Sequence, residues 1–135
     1  LLYDKTINSF EGHIPWLDKN IDISLDVDKD NKSGITKARK AMKELYLSDE
    51  KWDANMRTFA ARKLIGLARD LCESEEEALK ITEESFAERI DIESISMTSG
   101  GSFTAYFNDD DIFAGHCITV AGSLKKGITS ASMGG

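Results

Sequence analysis

The stretch IDISLDVDKDNKSGITKARKAMKEL, residues 21–45, changes its hydrophobic period halfway along. Ile21, Ile23, Leu25 and Val27 alternate with Asp22, Ser24 and Asp26, the period of two that marks a half-buried strand. From Ser33, a candidate N-cap, Ile35, Ala38, Met42 and Leu45 recur at helical spacing. A strand that hands over directly to an amphipathic helix predicts a sheet with helices laid on one face.

The flanks extend that reading. Upstream, residues 7–28 read as a β-hairpin, with Pro15 and the Leu-Asp-Lys-Asn run at 17–20 supplying the turn. Downstream of Ser48 and Asp49, a longer helix carries Trp52, Met56, Phe59, Ala60, Leu64, Leu67 and Leu71 on one stripe, with Arg57, Arg62 and Arg69 mostly opposite. The acidic run at 73–77 reads as a loop or solvated helix end, and Thr82 caps a short helix bearing Phe86 and Ile90. The remaining residues alternate as strands over 92–98, 102–107, 116–122 and 128–133, joined by Ser-Gly-Gly, Asn108–Gly115 and Lys-Lys-Gly turns. The predicted fold is one α+β domain over 1–135. Its antiparallel sheet combines an N-terminal hairpin with a C-terminal four-stranded meander, and two to three helices pack on one face.

Composition bounds the function. The chain has 135 residues, 41% hydrophobic and 30% charged, the balance of a globular protein able to bury roughly two-thirds of its unfolded surface. Seventeen Lys and Arg against 24 Asp and Glu leave a net charge of −7. That sign disfavours nucleic acid and an anionic membrane surface, both of which select clustered cations. No apolar run reaches the ~20 residues of a membrane-spanning helix. Cys72 and Cys117 lack disulfide-framework or metal-ligand spacing and read as small apolar groups, which points to a reducing cytoplasm. The chain starts Leu-Leu-Tyr without an initiator Met, as a domain excised from a longer chain would.

Two stretches look chemical. Residues 26–37 place Asp26, Asp28 and Asp30 at the first three ligand positions of an EF-hand loop. Asn31 stands where that loop needs glycine, and Lys37 where it needs a bidentate glutamate. An acidic strand-to-helix turn explains the same residues, and no metal or cofactor is assigned. The second stretch, FNDDDIFAGHC at 107–117, gathers Asp109, Asp111, Phe113 and His116 as candidate binding residues, with Trp16 as a further aromatic. Asn, Asp and Gly also suit a hairpin loop without any chemistry. His116 and Cys117, adjacent on a strand, point to opposite faces and form no nucleophile–base pair.

The segments at 10–28 (FEGHIPWLDKNIDISLDVD) and 101–122 (GSFTAYFNDDDIFAGHCITVAG), with the two helices between them, resemble a family of uncharacterised, mostly bacterial proteins catalogued as a domain of unknown function. The matching positions are Gly12, Trp16, Phe103, Asp111, Phe113, Gly115 and His116. The chain departs from the pattern at Ala114, where a large aromatic is common, and at Asp110, where glycine is usual. The resemblance implies an α+β fold and carries no activity. The expectation is a non-enzymatic, cytoplasmic binding or regulatory module with a protein partner and, through an exposed edge strand, room for a homodimer. The alternatives are a small-molecule binder or hydrolase-like enzyme using His116 with Asp109 or Asp111, and a structural domain of a longer protein.

Overall fold

The structure, a computed structural model, describes residues 2–4, 9–28, 30–110, 112 and 117–134. Among them seven strands form one sheet in chain order: β1 (Leu2–Asp4), β2 (Ser9–Trp16), β3 (Lys19–Leu25), β4 (Asp91–Met97), β5 (Ser102–Asn108), β6 (Cys117–Ser123) and β7 (Gly127–Gly134). Between β3 and β4 lie α1 (Lys32–Leu47), α2 (Asp49–Asp70), α3 (Glu75–Lys80) and α4 (Glu83–Arg89). Every neighbouring pair is antiparallel except β3 and β4, which the helices separate and which pair in parallel. The α+β class, the N-terminal hairpin and the C-terminal meander are those the hydrophobic periods predict.

One face of the sheet is apolar and buried. Ile21, Ile23 and Leu25 of β3, Ile95 and Met97 of β4, Phe103, Ala105 and Phe107 of β5, and Ile118 and Val120 of β6 all lie within 7% exposure. Ile92 is buried too, although it is out of phase with Ile95. A register shift between Ile92 and Ser94 against β5 reverses the alternation and turns both isoleucines inward. The opposite face carries Ser24, Ser96, Thr104 and Ser130 and their neighbours, which are half-buried or exposed.

Helix signals in the sequence are honoured with local adjustments. The N-cap of α1 is Asn31 in place of Ser33: its Oδ1 accepts the Gly34 N–H at 3.0 Å. A Cβ on Gly34 would stand 2.4 Å from the Asn31 side chain, so this cap and this glycine belong together. On α2 the buried stripe runs Asp53, Met56, Ala60, Leu64 and Ala68, leaving Leu67 and Leu71 about half exposed instead of buried. Arg57, expected on the solvent side, is drawn inward by a buried carboxylate. The acidic run opens α3, whose first turn is Glu75–Glu77 and whose N-cap Ser74 accepts the Glu77 N–H at 3.2 Å. No residue of α3 is buried, so it leaves no trace in the hydrophobic pattern. Thr82 and Ser85 close a reciprocal capping box on α4.

The first hairpin turns at Leu17 and Asp18, with Leu17 at φ 53° and its N–H donating to Asp49 Oδ2 at 3.1 Å. Pro15 sits inside β2 opposite Asn20. The pairing with β1 reaches only Glu11, so at Pro15 the strand is an edge and a missing N–H leaves no ladder bond unmade.

Candidate functional site

Three places gather polar chemistry: the turn after β5, a buried network behind it, and an open trough along α2.

Of the candidate residues in the turn, Asp111, Phe113 and His116 lie outside the described residues. Asp109 is buried, at 1% exposure, and its carbonyl accepts the Ile112 N–H at 3.0 Å. Asn108 Oδ1 accepts the Asp110 N–H at 2.8 Å, an Asx turn that leads the chain out of β5. Arg89, at the end of α4, holds this turn through Asp110: its Nε meets the carboxylate at 3.0 Å and its Nη2 the carbonyl at 2.7 Å. Asp110 stands at φ 48°, which accounts for the glycine expected there from the resemblance.

Trp16 is wholly buried. Its indole Nε1–H donates to Asp53 Oδ1 at 3.0 Å, and Arg57 Nε donates to the other carboxylate oxygen at 2.7 Å. Arg57 Nη1 continues to the carbonyl of Ala87 at 2.8 Å and to that of Ile90, closing the C-terminal end of α4. The same guanidinium lies 5.8 Å from the centroid of the Phe107 ring. The Asp53–Arg57 pair thus ties the N-terminal hairpin, α2, α4 and β5 together. Asp53 and Arg57 are the residues that sequence reasoning passed over. The available signal was an aspartate in phase with Met56, Ala60 and Leu64, a position that solvent-facing charge does not occupy.

Asp26, Asp28 and Asp30 lie between β3 and α1. Ser96 donates its hydroxyl to the Asp26 carboxylate, Asp28 Oδ1 accepts the Asp30 N–H, and Asn31 caps α1. Among the described residues no three His, Cys, Asp or Glu side chains converge as a metal site. On the outer face of the hairpin His13 Nδ1 meets Asp22 Oδ1 at 2.7 Å, with both side chains about three-quarters exposed.

A further concavity lies elsewhere. An open trough of about 790 Å³ runs between α2 and the turn that joins β6 to β7. Trp52 and Phe59 of α2 form one apolar wall, and Leu124 and Ile128 form the other. Trp52 is held edge-on against Phe103, ring centroids 5.3 Å apart, so the floor is continuous with the core. Lys51, Arg62 and Lys63 contribute the charge; among the described residues no acidic side chain lines the trough, and none of the three cations is ion-paired. Gly122 makes this geometry possible. A Cβ there would stand 2.3 Å from the Gly127 carbonyl oxygen and 2.8 Å from Ile128 Cα, so only glycine lets β7 lie this close.

Over residues 1–133 the chain matches the family described as an uncharacterised protein conserved in bacteria, DUF2262. It belongs to that family. The DUF2262 match runs from β1 through all but the last residue of β7, so turn, network and trough all fall inside it. No curated protein and no solved structure matches the chain. The fold itself has no helix long and apolar enough to cross a membrane among the described residues.

Proposed function

We propose that this chain is a non-enzymatic binding or regulatory module that acts in the cytoplasm through a protein partner. The observation that carries the reading is the trough along α2. Its aromatic wall and Arg62, with no described acidic residue, fit a protein-interaction surface, where aromatics and arginine are enriched and acidic residues depleted. Three described carboxylates make contacts that hold elements together: Asp53 binds Trp16 of β2 and Arg57 of α2, Asp110 holds the β5 turn to Arg89, and Asp26, just after β3, accepts from Ser96 of β4. Both cysteines are free thiols, in keeping with a reducing compartment.

A photo-cross-linking residue placed at Asn55, on the trough, and separately at Thr104, on the open sheet face, tests the reading in the bacterial host. One defined protein cross-linked from position 55 and not from 104 is the expected result. Cross-linking from 104 alone, or from neither position, would sink the trough as the working surface.

A second reading, in which His116 with Asp109 or Asp111 binds a small molecule, draws on one observation: Asp109 is buried at 1% exposure, close in sequence to buried Ile112. An Asp109→Asn variant that folds normally and loses binding to a small-molecule panel would favour it over the trough.

A further inference from the structure

The trough's shape and charge define its occupant more narrowly than a protein partner, and this step rests on the reading above. We infer that it takes an extended acidic peptide, with one apolar residue flanked by two carboxylates.

Three observations combine. First, the trough is long. Its α2 side advances by single turns from Ser48 through Lys51, Asn55 and Thr58 to Arg62, so the wall extends for about 20 Å at the rise of a helix. A compact metabolite would occupy only part of that length, whereas six or seven residues of extended chain span it at about 3.3 Å each.

Second, the charges sit at the ends and the apolar groups between. Lys51 stands near one end and Arg62 with Lys63 at the other, separated by about 17 Å along the helix. Trp52 and Phe59 lie inside that interval. An apolar side chain seated against the two rings places carboxylates two or three residues to either side, each within reach of a cation.

Third, the sign is local. The chain carries a net charge of −7, yet among the described residues these three cations have no acidic neighbour in the trough and no ion-pair partner. An acidic segment is therefore admitted here in spite of the chain's net charge.

A random heptapeptide display library, selected on the purified chain, tests this directly. Two variants accompany it, each checked for native circular dichroism. In one, Lys51, Arg62 and Lys63 are all changed to Glu; in the other, Asn55→Trp fills the trough without changing its charge. The expected outcome is enrichment of peptides with two acids bracketing an apolar residue, lost on both variants, with the affinity of a selected peptide falling at least about tenfold on the charge reversal. Peptides enriched without acids and lost only on Asn55→Trp would overturn the acidic occupant and leave the trough reading standing. Enrichment indifferent to both variants, or no enrichment, would overturn both.

Discussion

At the scale of single residues, the backbone and the buried charges make the sharpest demands. Leu17 and Asp110 both hold positive φ without being glycine, a conformation that costs an L-residue roughly 1 kcal/mol. Leu17 is 43% exposed, so Leu17→Gly gives up little packing and is expected to raise stability by about 0.5–1 kcal/mol in urea titration. Asp110→Gly gains the same relief but loses a carboxylate exposed to solvent at 61% of its surface, an interaction of about 0–1 kcal/mol, so the two changes nearly offset. A stabilisation of Asp110→Gly well above 1 kcal/mol would show that its pairing with Arg89 contributes nothing. Asp53 is a different case. Asp53→Ala strands the Trp16 indole N–H and leaves the Arg57 guanidinium with backbone carbonyls alone, a loss expected at about 3 kcal/mol. Trp16→Phe removes the same hydrogen bond from the other side, so the double variant should cost less than the two single losses added together. Strict additivity in a double-mutant cycle would contradict the network.

At the scale of elements, the close packing of β6 against β7 sets the outer wall of the trough. Gly122→Ala pushes a methyl against the Gly127 carbonyl and the Ile128 backbone, and backbone gives way at greater cost than a flexible side chain. The expected loss is about 1–3 kcal/mol of unfolding free energy, with amide shifts concentrated at Leu124–Ile128 in nuclear magnetic resonance spectra. Shifts spread evenly over the sheet would mean that the wall is not set by this approach. The helix ends show how short-range chemistry works without burial: α3 has acidic residues at its N-terminus and a serine cap, and Arg69 of α2 donates to the Ile81 carbonyl at 2.8 and 3.1 Å just beyond it.

At the scale of the whole molecule, the parallel β3–β4 pair makes the two halves of the sheet one unit. The hairpin and the meander are separated by four helices in sequence, yet they share a buried face, and the Asp53–Arg57 pair links Trp16 of β2 to Phe107 of β5. Unfolding is therefore expected in a single transition, with tryptophan fluorescence from buried Trp16 and trough-lining Trp52 coinciding with far-ultraviolet circular dichroism. A fluorescence change that precedes the loss of helix would mean that the hairpin detaches first. Phe86, fully buried on α4, is the large side chain of that seven-residue helix in the core. Phe86→Ala is expected to cost about 3–5 kcal/mol while preserving the single transition.

Hydrophobic period alone determined the α+β class, the position of α1, α2 and α4, and the four C-terminal strands, because each depends on which face of a local segment must leave water. Turn and cap chemistry placed Thr82 and the Ser-Gly-Gly and Lys-Lys-Gly turns for the same local reason. The strand β1 and the helix α3 escaped, since three residues show no period and a helix with no buried residue has no stripe. Of the candidate site, the sequence exposed the polar turn and Trp16 as noteworthy but could not say that Trp16 is a buried donor to Asp53. Nor could it show that Lys51, Arg62 and Lys63 share a trough with Leu124 and Ile128 from the far end of the chain. Those facts depend on long-range pairing: the parallel join of β3 to β4 and the laying of α2 across the sheet bring together residues that are as many as 77 positions apart. Only the tertiary structure decides which charges end up paired in the core and which remain without partners along a groove.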